Sequence, residues 1–152
     1  MGNCFYKKQK TTKKRISDIS NILYEDTVPY IFPISMGKVI KVYDGDTITV
    51  GSTIENDPTG KIYRFSIRLK GIDTPEIKGG GTCHEKQLAI QARDALHDLI
   101  FGKLVVIKNV GNEKYGRILA DIWLNDIHVN QWMLEHKYAV VYDGGKKQTW
   151  IK

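Results

Sequence analysis

Lys38-Val-Ile-Lys-Val-Tyr-Asp-Gly-Asp-Thr-Ile-Thr-Val50 reads as two β-rich runs, 38–43 and 47–50, on either side of Asp44-Gly45. Asp-Gly between two such runs is a strong hairpin signal, because both turn positions tolerate positive φ. A polar loop, Glu55-Asn-Asp-Pro-Thr-Gly60, leads into a third run over 61–70. That run alternates: Phe65, Ile67 and Leu69 face one way, and Arg64, Ser66, Arg68 and Lys70 the other.

Beyond the third strand the period changes. Residues 85–101 place Leu88, Ala92, Ala95, Leu96 and Leu99 on one helical face. Thr82-Cys-His-Glu85 is the Thr-x-x-Glu of a capping box, and Gly102 ends the helix. A fourth strand is expected over 104–108, and a fifth over 117–124 that turns at Asn125-Asp126 into 127–129. Asn130 can cap a shorter second helix through about residue 137. Five short strands, with one helix after the third and another after the fifth, predict an α+β, mainly β fold. The architecture expected is a five-stranded Greek-key barrel of the OB type with two or three helices. Such barrels often bind oligonucleotides, but fold alone does not give function.

Composition narrows the class. The chain has 152 residues, 41% hydrophobic and 26% charged, which suits one soluble domain and fits neither a disordered chain nor a coiled coil. Twenty-three Lys and Arg against 17 Asp and Glu leave +6, divided equally between the segment before Met36 and the remainder. Such a balance favours polyanionic partners, nucleic acid or an acidic membrane surface. Two cysteines, Cys4 and Cys83, make no disulfide framework. No apolar stretch approaches the roughly 20 residues of a membrane span, and the N-terminus lacks the apolar core of a secretory signal. The expected location is therefore intracellular, in the cytoplasm. The expected organisation is a basic tail (1–15), an extended connector (16–36) marked by Pro29 and Pro33, a domain (37–145) and a short basic C-terminal tail (146–152).

Three clusters carry chemistry: Asp44-Gly-Asp-Thr47, Arg68-Leu-Lys-Gly-Ile-Asp-Thr-Pro-Glu76 and Glu113-Lys-Tyr-Gly-Arg117. Each alone has a bland structural reading as a turn, a loop or a strand entry. Together they set three carboxylates (Asp46, Asp73, Glu76) and two guanidiniums (Arg68, Arg117) beside strand ends that converge readily at one end of a small barrel. Hard cations such as Ca²⁺ take oxygen ligands. Two arginines can grip one phosphate through paired N–H donors, and a carboxylate left free of metal can act as a base on water. That inventory suits metal-assisted phosphodiester hydrolysis.

The order Asp-Gly-Asp-Thr, Arg-x4-Asp-Thr-Pro-Glu, Lys-Tyr-Gly-Arg resembles the staphylococcal (thermonuclease-like) nuclease family, over about residues 37–142. The resemblance implies an OB-fold, Ca²⁺-dependent endonuclease that cuts DNA and RNA and leaves 3′-phosphate ends. It implies that Asp46 and Asp73 ligate one Ca²⁺ through their carboxylates and Thr74 through its carbonyl, with Asp44 just behind them. Glu76 is then the proposed general base, and Arg68 and Arg117 hold the scissile phosphate. Lys114 and Tyr115 match positions that contact a second phosphate, and Tyr142 more loosely matches a residue near the base. Some features depart from the family pattern. Glu113 stands where Asp is common, the loop over 78–81 is short, and Lys137 takes a helix-end position where Gly is common. The family's third, C-terminal helix is not expected before Lys152. If so, either 16–36 covers that surface or the domain is less stable alone.

Other features read more plainly. Cys83 and His84 adjoin in the first turn of a capped helix with no matching pair elsewhere, which argues against zinc. Met1-Gly2 followed by Cys4 and a polybasic run resembles a dual-acylated membrane anchor, although Tyr6 stands where the motif takes Ser or Thr. Nucleic-acid contact, nuclear import or simple solvation are the alternatives for this tail. Two other functions compete with the nuclease. A binding module is disfavoured because every matched catalytic position keeps the expected residue type, and a lipid-anchored adaptor explains none of the three motifs. Nothing in the sequence demands more than a monomer.

Overall fold

The computed structural model describes residues 19–78, 81–113, 115–145 and 150. Gly2, Cys4, the basic tail over 1–15 and Lys114 lie outside the described residues. The chain divides into two compact units, Met1–Tyr30 and Ile31–Lys152. In the first, a 3₁₀ turn over Tyr24–Asp26 is tied at both ends: Leu23 N donates to the Asp26 carboxylate at 3.0 Å, and Thr27 Oγ1 donates to Tyr24 O at 2.8 Å.

The second unit carries the barrel. Its strands are β1 (Met36–Val42), β2 (Thr47–Ser52), β3 (Tyr63–Leu69), β4 (Ile72–Asp73), β5 (Leu104–Asn112), β6 (Ile118–Leu124), β7 (Ile127–His128) and β8 (Val140–Val141). Its helices are α1 (Cys83–Ile100) and α2 (Val129–Glu135). Antiparallel pairs join β3 to β2, β2 to β1, β1 to β5 and β5 to β6. Parallel pairing of β3 with β6, Ile67 opposite Ile118 and Leu69 opposite Ala120, closes the five strands into a barrel. The apolar residues of the alternating strands fill it: Val39, Ile48, Val50, Ile67, Leu69 and Ile122 are fully buried. Each such aliphatic side chain contributes about 1.5–3 kcal/mol by leaving water.

Helix α1 starts as its capping box requires. Thr82 Oγ1 accepts from Glu85 N at 3.2 Å and Glu85 Oε2 accepts from Thr82 N at 2.7 Å. It buries Ala89, Ala92, Leu96 and Ile100. Among the described residues no helix is long and apolar enough to cross a membrane.

Several details differ from the sequence reading. Asp44-Gly45 does join β1 to β2, but neither residue has positive φ. Gly45 is needed for room: a Cβ there would lie 2.8 Å from Ala92 Cβ and 2.9 Å from Thr74 Cγ2, so the loop is pressed between α1 and the segment after β4. The fourth expected strand does not stop at residue 108. Asn109 takes φ 51° and a register shift follows, after which β5 resumes through Asn112. The compact unit begins at Ile31, because Ile34 is buried in the core and the Phe32 ring meets Phe65 edge-on at 5.7 Å.

Asn130 is not a cap. It sits inside α2, where its Oδ1 accepts from Ile122 N at 3.0 Å and its Nδ2 donates to Lys70 O at 2.9 Å and Ala120 O at 3.2 Å. It therefore ties α2 to β6 and to the exit of β3. At the far end of α2, Tyr138 N donates to Met133 O and Lys137 N to Leu134 O, each at 3.0 Å, a Schellman ending. Lys137 supplies its left-handed residue at φ 62°.

Candidate active site

Five polar residues are packed at one end of the barrel almost out of water: Asp46 (6% exposed), Thr47 (6%), Arg68 (7%), Asp73 (2%) and Thr74 (3%). Buried charges survive only when paired, and these are. Asp46 ends the β1–β2 loop, where its carbonyl accepts from Leu69 N at 2.8 Å, so β3 fixes its position. Arg68 leaves β3 on the face opposite Ile67 and Leu69. Its guanidinium binds Asp46 through Nη1 and Asp73 Oδ1 through Nη2 at 3.0 Å. Burial lowers the Arg68 pKa, but the two carboxylates outweigh it and the net shift is upward, so the cation is firmly held.

Asp73 and Thr74 are positioned by an element the sequence reading missed. β4 pairs with β8, Ile72 opposite Val141 and Asp73 opposite Val140, and Tyr142 N donates to Gly71 O at 2.9 Å. The ladder also seats the Tyr142 ring 5.7 Å from the Arg68 guanidinium, in cation–π range.

Arg117 enters from the turn before β6. Glu113 grips it bidentately, with Nε to Oε2 at 2.6 Å and Nη2 to Oε1 at 2.7 Å. Nη1 reaches Thr47 Oγ1 at 3.3 Å, and Thr47 in turn donates to Asp46 Oδ1 at 2.9 Å. The hydrogen bonds from Glu113 raise the Arg117 pKa against partial burial. This chain of contacts joins the first and third motifs; the sequence marks Glu113 only as a mild change from Asp, with its i,i+4 spacing to Arg117 as the one signal of the pairing.

A pocket of about 330 Å³ opens over this arrangement. Its walls hold the carboxylates Asp44, Asp46, Glu76 and Glu113 and both guanidiniums, with Thr74, Tyr115 and Tyr142 completing them. Asp73 meets the pocket through Arg68. Asp44 Oδ1 accepts from Asp46 N at 3.2 Å, and burial, reinforced by the Asp46 charge, pushes the Asp44 pKa up to about 6. Five carboxylates thus stand around two guanidiniums. Among the described residues no three His, Cys, Asp or Glu side chains form a ready cation cage. The donors present are nevertheless all oxygen and carry excess negative charge, which fits a hard cation completed by carbonyl and water ligands.

Comparison with known proteins agrees with this geometry. The family model described as staphylococcal nuclease homologue matches residues 66–150, more than half of the chain. An uncharacterized protein of Methanocaldococcus jannaschii is 32% identical over 129 residues, covering 70% of this chain and 58% of its own length. An uncharacterized endonuclease of Escherichia coli is 34% identical over 108 residues, covering 70% of this chain and 61% of its own. A probable staphylococcal-like nuclease of rice is 33% identical over 76 residues, covering 50% and 18% respectively. The chain thus spans about three-fifths of the length of the first two relatives. With a closed five-stranded barrel, an Arg–carboxylate pocket at one end of it and this match, the chain belongs to the staphylococcal nuclease homologue family.

Proposed function

We propose that this protein is a Ca²⁺-dependent nuclease that hydrolyses phosphodiester bonds of DNA and RNA and leaves 3′-phosphate ends. One observation carries the reading: two guanidiniums, each aimed by carboxylates, share a single pocket with further acidic oxygens. Arg68 and Arg117 are spaced by Asp46 and Thr47 so that both reach the same pocket, where a phosphodiester can accept from the two of them. Asp46 and Asp73, with the Thr74 carbonyl, would hold the cation, and Asp44 would steady Asp46 from behind. Bound there, Ca²⁺ supplies a Lewis acid that polarises a phosphoryl oxygen.

Glu76 lies on the pocket wall and is exposed. It is the group we assign to take a proton from the attacking water, while Arg68 and Arg117 offset the charge that develops on phosphorus oxygens. Tyr115 and Tyr142, with Lys114, would contact the neighbouring phosphate and base. The test is cleavage of single-stranded and duplex DNA and of RNA in Ca²⁺, in Mg²⁺ and in excess chelator, with end-group analysis of the products. Cutting in Ca²⁺ that chelator abolishes, with phosphate at the 3′ ends, is expected. Tight nucleic-acid binding without cutting under any metal would reduce the protein to a binding module.

A further inference from the structure

A second cluster of aromatic and charged side chains lies outside the pocket wall. Tyr43 directly precedes Asp44, just beyond the end of β1, and its ring is 48% exposed. Two ammonium groups converge on it: Lys41 Nζ lies 5.6 Å from the ring centroid and Lys78 Nζ lies 5.7 Å away. Lys41 comes from β1, whereas Lys78 comes from the loop two residues beyond Glu76. The cluster therefore bridges the two chain segments that bring Asp44 and Glu76 to the pocket. Tyr115 and Tyr142 reach the pocket from other segments, the turn before β6 and the end of β8.

Two like charges held near one exposed ring repel each other, and among the described residues neither lysine is ion-paired with a carboxylate. A polyanion would relieve that repulsion. An exposed ring with ammoniums over it supplies both elements that hold single-stranded nucleic acid: the flexible lysine side chains swing from the ring to the phosphates as a base stacks in their place. The surrounding walls are acidic, so without a local cationic foothold a strand leaving the pocket on this side would be repelled.

We propose that Tyr43, Lys41 and Lys78 form a strand-binding platform at the rim of the pocket. A base of a single-stranded substrate stacks on Tyr43, and its flanking phosphates pair with Lys41 and Lys78. The proposal rests on the nuclease reading and adds to it a second direction in which the substrate strand is held.

The experiment is steady-state cleavage of a single-stranded DNA 12-mer in Ca²⁺ by the full chain, by Tyr43→Ala, by Tyr43→Phe and by Lys41→Gln/Lys78→Gln. Tyr43→Ala should raise KM about tenfold, within the range of one lost base stack, with kcat held within about twofold. Tyr43→Phe, which keeps the ring, should stay near wild type. The double lysine variant should flatten the dependence of log KM on log salt by about 1.4, two phosphates on a single strand. An unchanged KM in Tyr43→Ala would overturn the platform. So would a fall in kcat with KM unchanged, which would mean that the ring only supports the Asp44 loop. A wild-type chain that cuts no substrate would instead remove the nuclease reading, and the platform with it.

Discussion

Arg117 shows how its neighbours fix a single side chain in place. Glu113 takes Nε and Nη2 on its two oxygens, and Thr47 receives Nη1. The planar fork is thus locked in one orientation while the pocket opens over it. Lysine offers one point charge and cannot keep both Glu113 contacts in a plane. Arg117→Lys should therefore lower kcat by about 10²–10³, the usual cost of a lost preorganised donor, while the thermal melt stays near that of the wild type. A kcat equal to wild type would remove Arg117 from the chemistry. Arg68 teaches a different lesson about what a sequence discloses. The alternation over 61–70 puts it on the face opposite Ile67, but carries no sign that this face is buried there. Its burial comes from Asp46 and Asp73, which lie on other segments.

At the level of elements, what could be read in advance was local. The capping box of α1 joins residues three apart, and the β3 alternation repeats every second residue, so both are written in adjacent positions. The β4–β8 ladder joins Ile72 to Val141, and neither two-residue strand has a pattern of its own. Asn130 shows the same limit: as a residue near a helix start it reads as a cap, yet its partners Lys70 and Ile122 lie elsewhere in the chain. That latch matters for the site, because Lys70 adjoins both Leu69, which holds Asp46, and Gly71, which holds Tyr142. Asn130→Ala leaves the buried Ile122 N–H without this partner and takes one donor each from Lys70 O and Ala120 O, the latter keeping Lys70 N at 2.9 Å, at about 2–4 kcal/mol together. For a chain of this size the melt should fall by about 5–15 °C. A melt unchanged within about 2 °C would show that water replaces the latch without loss.

The whole molecule sets two charge patterns against each other. The chain is basic, with a formal +6, yet the pocket wall is rich in carboxylates. Excess positive charge draws a polyanion toward the protein from a distance. The acidic pocket is then hospitable to a phosphodiester only when a cation and the two guanidiniums balance it. Barrel closure makes this possible: the β1–β2 loop, the end of β3, β4 and the turn before β6 all finish at one end, so residues from 44 to 142 meet there. In the proposed nuclease this end cuts phosphodiesters, with the cation held by Asp46 and Asp73 and the water activated by Glu76. The most direct measurement is single-turnover cleavage of a labelled single strand in saturating Ca²⁺ by wild type and Glu76→Gln, with Ca²⁺ affinity titrated calorimetrically on the same preparations. A rate lowered by about 10²–10⁴ with Ca²⁺ affinity nearly unchanged is the result expected of a base that does not hold the metal. Equal rates in the two proteins would contradict it.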